Sequence, residues 1–184
     1  MRLAAAEYGQ FATALENLAD DDWSKPTDCA GWDVRTMASH VLGMAEMAAS
    51  VPEGIRQMKA AKKRGGLFID ALTAVQVEKR VDLTPQQLTE RIRNVGPKAA
   101  RHRRRIPSFV RNRRMPIPQP VGDVDEDWTI GFLMDTILTR DTWMHRIDIS
   151  RATERAVVLT QEHDGRIVAG VVAEWAQRHG KAFT

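Results

Sequence analysis

Apolar side chains recur every three or four residues over several long stretches of this 184-residue chain. One stretch runs from about Leu3 to Leu18, and a second runs from about Val34 to Ser50, directly after Asp33, a good N-cap residue. This spacing collects apolar residues on one face of an α-helix, whereas a half-buried strand would need strict alternation. The β-like run at 157–159 is too short to decide between the two. We therefore expect an all-α protein whose helices pack as an antiparallel bundle, without strands.

Four further helices and one long loop complete the predicted order. The helices are expected at about Leu67–Arg80, from Thr84-Pro85 to about Arg105, from about Trp128 to Arg151, and from Thr160 to near Gly180. Gly96-Pro97 should bend or interrupt the second of these helices, because proline lacks an N–H and clashes with the preceding turn. Residues 107–127 hold four of the eight prolines, which predicts a long irregular loop directly before the Trp128 helix.

Composition favours a single domain that folds without disulfides. Hydrophobic residues make up 43% of the chain, enough to bury a core, and the single cysteine excludes a disulfide framework. The first residues do not form a signal peptide, because the apolar run stops at Glu7 and no cleavage pattern follows. No segment approaches the roughly 18 apolar residues of a membrane span. We expect a cytoplasmic protein with no membrane partner.

One basic block dominates the charge distribution. Ten Lys and Arg residues and no acid lie between Arg91 and Arg114, so the rest of the chain carries −7 against a total of +3. Such a block can bind nucleic acid, or it can be a solvated helix face that runs into a loop. No nucleic-acid motif or interleaved aromatic pattern accompanies it. We expect no specific nucleic-acid partner, and any weak binding should vanish near physiological salt.

Two imidazoles and one carboxylate are predicted to meet between two helices. His40 shares an apolar helix face with three methionines, and Asp141 and His145 lie four residues apart, so both point the same way. Burying Asp141 without a cation would be costly. Three protein ligands could hold a divalent metal ion and leave a coordination position open, as catalytic sites do. A histidine on an apolar face is also common as an ordinary core residue, so the pattern alone leaves both interpretations open.

Two residues near this set have open roles. Arg146 and Asp148 could orient His145 or bind a substrate anion, or they could form an ion pair at the end of the bundle.

Cys29 is interpreted as a packing residue rather than a nucleophile. Trp23, Trp32 and Trp143 are interpreted as core anchors. The remaining histidines lie in polar contexts without ligand-like spacing: His102, His163 and His179.

Two motifs identify a family resemblance. The first, W-x-x-P-T-x-C-x-G-W-x-V-R-x-x-x-x-H-x-x-G, runs from Trp23 to Gly43, and the second, D-x-W-x-H-R-x-D-I-x-R-A, runs from Asp141 to Ala152. Together they resemble the mycothiol-dependent maleylpyruvate isomerase family, within the DinB/YfiT-like superfamily of metal-binding four-helix bundles. The resemblance implies that residues 1–180 form such a bundle, and that residues 181–184 begin a further domain that many relatives carry.

The resemblance also implies a metal site and a chemistry. The family holds a divalent ion, expected to be zinc, at positions that are His40, Asp141 and His145 here; the characterised isomerase has Glu in place of Asp141. Its members use the metal to activate mycothiol, the low-molecular-weight thiol of actinobacteria. The thiol could then be transferred to a small electrophilic substrate or assist its cis–trans isomerisation. The alternative is a bundle that has lost catalysis and serves as a metal-binding or regulatory module; monomer and dimer both stay open.

Overall fold

A computed structural model describes residues 2–180 of the protein, and it is mostly helical, which confirms the expected all-α class. The expected start of a further domain at 181–184 lies outside the described residues. The helices are α1 (Arg2–Glu16), α2 (Val34–Ala49), α3 (Val51–Arg64), α4 (Phe68–Glu78), α5 (Pro85–Arg105), α6 (Ser108–Arg111), α7 (Ile130–Phe132), α8 (Leu138–Thr153) and α9 (Asp164–His179). A 3₁₀ turn at Asp20–Ser24 and two short strands, β1 (Gln119–Val121) and β2 (Val124–Glu126), complete the order.

Four long helices surround the main core. Helix α2 packs against α5 and α8, and α1 packs against the same two helices. Phe11, Met37, Leu42, Ile92 and Ile149 are at most 1% exposed in this core, and each such side chain contributes roughly 1.5–3 kcal/mol of burial free energy. The core therefore fixes α2 and α8, the two helices that carry the candidate metal ligands. No helix within residues 2–180 is both long enough and apolar enough to cross a bilayer.

Polar caps begin two helices where the sequence predicts them. Asp33 Oδ1 accepts a hydrogen bond from the Thr36 N–H at 2.7 Å, which satisfies a free donor at the start of α2. Thr84 and Gln87 cap α5 reciprocally at 3.2 and 2.9 Å, with a proline at its first position. Gly180 follows α9 in the left-handed region at φ 61°, as expected for a C′ glycine.

Helix α3 was not predicted from the sequence. Ser50-Val51-Pro52-Glu53 has the capping-box spacing, and the Ser50 hydroxyl accepts from the Glu53 N–H at 3.4 Å. Gly65, at φ 77°, ends the helix. Helix α3 pairs with α4, and both pack on α2. The signal was therefore present, although the mixed polar sequence of α3 hides its apolar stripe.

Of the bend or interruption predicted at Gly96-Pro97, the interruption is wrong, because α5 runs through both residues from Pro85 to Arg105. Gly96 serves a different purpose. A Cβ atom at this position would lie 2.4 Å from the Tyr8 Cβ, so only glycine lets α1 approach α5 this closely. This contact holds Tyr8 next to α5, 2% exposed.

Two further expectations are corrected between residues 107 and 137. The proline-rich segment contains an antiparallel hairpin that pairs Gln119 with Glu126, although no strand was expected. Pro120 is tolerated because a two-stranded hairpin consists only of edge strands. The helix expected from Trp128 starts later and contains a π turn at Leu133–Ile137 between α7 and α8. A π turn adds one residue to the helix and so changes the register of the side chains that follow.

Candidate metal centre

His40, Asp141 and His145 converge between α2 and α8. His40 Nε2 lies 3.6 Å from Asp141 Oδ2, and His145 Nε2 lies 3.5 Å from Asp141 Oδ1. The two imidazoles meet edge to face, with their centroids 5.4 Å apart. One ligand atom from each residue lies within 4.8 Å of the other two. Two imidazole nitrogens and a carboxylate at this separation match the ligand types and number of a three-ligand transition-metal site.

Trp32 forms one wall of this centre. Its ring lies 5.2 Å from the His40 imidazole and 5.8 Å from that of His145, measured between centroids. Both histidines are buried, whereas the side chain of Asp141 is 31% exposed. The centre therefore opens to solvent at Asp141. Trp32 was predicted to be a core anchor, and its place against both imidazoles was not foreseen.

Asp148 is in position to orient His145. Its Oδ2 lies 3.4 Å from His145 Nδ1, the nitrogen that faces away from the Asp141 carboxylate. An Nδ1–H that donates to Asp148 leaves Nε2 free to act as a ligand, which is the usual arrangement around metal-binding histidines. His40 lacks such a partner among residues 2–180, because its Nδ1 is buried without a hydrogen bond. Packing against Trp32 holds that ring instead.

The three groups perturb one another strongly. Burial opposes the charge on Asp141, but hydrogen bonds from His145 and His40 outweigh it and hold the pKa of this carboxyl well below its usual range. Burial also disfavours the charged form of His145, yet hydrogen bonds to Asp141 and Asp148 raise its pKa to about 9. At neutral pH these shifts favour a carboxylate on Asp141 beside an imidazolium on His145. Clustered, mutually shifted groups of this kind are typical of functional sites.

Arg146 contacts α1 and the start of α9 instead of the three candidate ligands. Its Nε donates to Glu7 Oε1 at 2.7 Å, and its Nη2 donates to Asp164 Oδ1 at 2.6 Å. His163 Nε2 lies 2.6 Å from Glu7 Oε2. Arg146 therefore belongs to a buried cluster of four charged or polar side chains, and its ion pairs are with Glu7 and Asp164. His163 has the polar surroundings expected for it, but it is buried, at 7% exposed, and its contact with Glu7 was not foreseen.

This cluster, made of Glu7, Arg146, His163 and Asp164, has the residue types of a second metal site. Ligand atoms of its two carboxylates and its histidine lie within 4.8 Å of one another. Arg146 already donates to both carboxylates and supplies the positive charge that a metal would bring. Trp143 Nε1 donates to Asp164 at 2.9 Å and completes the network. We interpret the cluster as a structural ion network.

Cys29 lies close to the centre without the properties of a nucleophile. Its sulfur is within 4.8 Å of ligand atoms of His145 and Asp148, and the residue packs against the main core. Burial, together with the negative charges of Asp148, Asp141 and Asp28, raises the pKa of its thiol. A reactive cysteine needs the opposite environment, which stabilises the thiolate.

A pocket lies elsewhere, between α1 and the end of α8. It measures about 560 Å³ and is lined by Arg146 rather than by the two histidines. Size alone does not identify a reactive site. The convergence of ligand atoms and shifted pKa values favours the His40–Asp141–His145 centre.

Several cations of the basic block form hydrogen bonds or ion pairs with other parts of the protein. Arg103 is fully buried and donates to the Met134 carbonyl and the Thr139 hydroxyl. Four other arginines of the block form ion pairs with acidic side chains: Arg91, Arg93, Arg111 and Arg114. Half of the ten cations therefore already have a partner within residues 2–180.

Comparison with protein families gives one match. The model of the family described as "Mycothiol maleylpyruvate isomerase N-terminal domain" matches residues 4–150, which include both sequence motifs up to Ser150. Comparisons with curated proteins and with solved structures give no significant match.

Proposed function

Because this chain belongs to the mycothiol maleylpyruvate isomerase N-terminal domain family, we propose that it binds one divalent metal ion and uses mycothiol as its cosubstrate. The proposed ion is zinc, and the proposed ligands are His40, Asp141 and His145. The reaction class is thiol transfer to a small electrophile or its thiol-assisted isomerisation. One observation carries the proposal: three ligand atoms from two helices lie within 4.8 Å of one another, in a centre that opens to solvent.

The residues around the centre have separable tasks. A divalent cation held here would supply the charge that lowers the pKa of a thiol placed against it. Asp148 fixes the tautomer of His145, and Trp32 keeps water from the two imidazoles. The exposed side of Asp141 is the route by which a thiol and an electrophile can enter. Cys29 remains a neutral thiol and plays no covalent part.

The proposal also covers the fold of the domain and the cellular compartment of the protein. We assign α1, α2, α5 and α8 as the four helices of a DinB/YfiT-like bundle, with residues 1–180 as the domain. Mycothiol implies an actinobacterial cytoplasm, which suits a chain with a single thiol. The proposed partners are small molecules. Four arginines of the basic block already form ion pairs with acidic side chains, which argues against a nucleic-acid function.

Metal content tests the ligand assignment. We expect about one zinc per chain in the purified protein, and less than a tenth of that in the His40→Ala and His145→Ala variants, because two remaining ligands bind weakly. Cys29→Ser is the matched control, since it alters a neighbouring side chain and should keep full occupancy. Full metal content in both histidine variants would exclude this centre.

A cobalt-substituted protein tests the thiol. Addition of mycothiol should produce a thiolate-to-cobalt charge-transfer band, because three protein ligands leave a position for the sulfur. A retained metal with no spectral response to mycothiol would instead support the non-catalytic metal-binding module.

A further inference from the structure

A basic pocket lies apart from the metal centre and shares no residue with it. It measures about 390 Å³ and opens between α2, α3, α5 and the end of α4. Four cationic residues line it, against two acidic ones, Glu46 and Glu53. The cations are Lys79, Arg80, Arg91 and Lys98.

The two arginines share a single carboxylate. Arg80 Nη2 pairs with Glu46 Oε2, while Arg91 Nη2 lies 2.5 Å from Glu46 Oε1. Arg80 is only 1% exposed, and its Nε is buried without a hydrogen-bond partner. A buried guanidinium is expensive unless its charge and its donors are matched. One carboxylate for two guanidinium groups leaves positive charge at the wall of the pocket.

The remaining acid, Glu53, offsets this excess only in part, because Arg56 already pairs with it. Glu53 is held by Arg56, whose Nε donates at 2.7 Å, and by Gln57 at 2.9 Å. Lys79 and Lys98 are exposed and form no ion pair within the described part of the chain. The pocket therefore combines two exposed ammonium groups that form no ion pair within residues 2–180 with a buried guanidinium that shares its carboxylate with Arg91.

We propose that this pocket binds a small dianion, whose charge is carried by a phosphate group or by a pair of carboxylates. A planar guanidinium with flanking ammonium groups is the usual protein environment for such oxyanions. The pocket has room for a small organic body besides the anionic group, and Ala49 and Val95 provide apolar wall for it. The site is independent of the proposed thiol chemistry.

Calorimetric titration of the full-length protein at pH 7.5 and 150 mM KCl tests the proposal, with inorganic phosphate and succinate as the two probes. The test variant is Lys79→Gln/Lys98→Gln. The matched control is Lys59→Gln/Lys62→Gln, which removes two exposed lysines of α3 and gives the same net charge. The His145→Ala variant reports whether phosphate binds at the metal centre instead.

We expect saturable binding of at least one probe, weakened about tenfold in the test variant, because two of the four cations are lost. Binding should change little in the control and in His145→Ala. Preference for phosphate or for succinate tells which dianion the pocket suits. The proposal fails if neither probe binds, if both lysine variants weaken binding equally, or if His145→Ala abolishes it.

Discussion

Asp148 is not one of the three candidate ligands, but its carboxylate affects how tightly His145 can bind a metal ion. Asp148 Oδ2 lies 3.4 Å from His145 Nδ1 and sets which nitrogen faces the centre. Replacing Asp148 with Asn keeps the volume and removes the charge. We expect the metal affinity to fall by roughly 10- to 100-fold, the usual cost of losing such a partner. Competition with a chromophoric chelator measures this affinity.

Asp123→Asn is the matched control, because Asp123 lies exposed in the hairpin turn and forms no ion pair within residues 2–180. An unchanged affinity in Asp148→Asn would show that the negative charge of Asp148 contributes nothing to metal binding.

Local spacing predicts contacts within a helix and fails for contacts between distant ones. Asp141 and His145 share a helix face, and the apolar stripe around His40 placed it inward, so their meeting could be anticipated. The contact between Glu7 and His163 joins residues 156 positions apart, and no local pattern encodes it. Trp32 was recognised as part of a motif, yet its position against both imidazoles depends on how the chain enters α2.

The distance between α1 and α5 depends on the absence of one side chain. A Cβ at Gly96 would meet the Tyr8 Cβ at 2.4 Å, a contact that neither backbone can relieve cheaply. Alanine favours a helix over glycine by about 1 kcal/mol. We nevertheless expect Gly96→Ala to lower the free energy of unfolding by about 1–3 kcal/mol, the usual cost of overpacking. Urea denaturation followed by circular dichroism gives this value.

Gly9→Ala provides the control for helix propensity. Gly9 lies within α1, and a Cβ there would have nothing within 4 Å. This variant should raise the stability by about 0.5–1 kcal/mol. Equal stabilisation by both variants would contradict the close-approach role of Gly96.

Element boundaries follow from capping chemistry where that chemistry is recognised. Asp33 and Thr84 mark the starts of α2 and α5 as predicted, and Ser50 marks α3 equally well although it was overlooked. The hairpin at 119–126 and the π turn at 133–137 could not be predicted. Both are short. Each is held by contacts with distant residues, such as Arg111 with Asp135 of the π turn and Arg178 with Glu126 of the hairpin.

The whole molecule is joined by the buried cluster of Glu7, Arg146, His163 and Asp164, which connects α1, α8 and the start of α9. Burial disfavours the charge on Asp164. Hydrogen bonds from the Thr160 N–H, Trp143 and Arg146 outweigh this effect and lower its pKa from 3.8 to about 2. A depressed pKa means that the native state holds the carboxylate more firmly than the unfolded chain does. The resulting stability is present above pH 3.8 and is lost as the pH falls towards 2.

We expect the free energy of unfolding near pH 6 to be about 2 kcal/mol larger for the wild-type protein than for Asp164→Asn. This value is the lowering of the Asp164 pKa converted at about 1.36 kcal/mol per pKa unit. This advantage should shrink steadily below pH 4. Urea denaturation midpoints between pH 6 and pH 3 give the comparison, with the exposed neighbour Glu162→Gln as the control. A difference that stays constant across this range would mean that Asp164 stabilises the fold through its shape and not through its charge.

For the whole molecule, the sequence predicts the fold class and the family better than it predicts how the helices pack against one another. The helical class and the family both follow from periodicity and from two motifs. The packing of α3 and α4 on α2, and the attachment of α9 through a buried ion network, depend on side chains that meet only after folding.

The buried cluster also constrains how this protein can diverge. The family match ends at residue 150, yet Arg146 inside it is neutralised in part by Asp164 outside it. A mutation that neutralises Glu7 or Asp164 leaves Arg146 under-compensated in a site from which water is excluded. We therefore expect a substitution at one of these positions to be accompanied by a compensating substitution at another, even when the two lie on opposite sides of residue 150. We therefore expect α9 to be retained wherever Glu7 of α1 and Arg146 of α8 are retained.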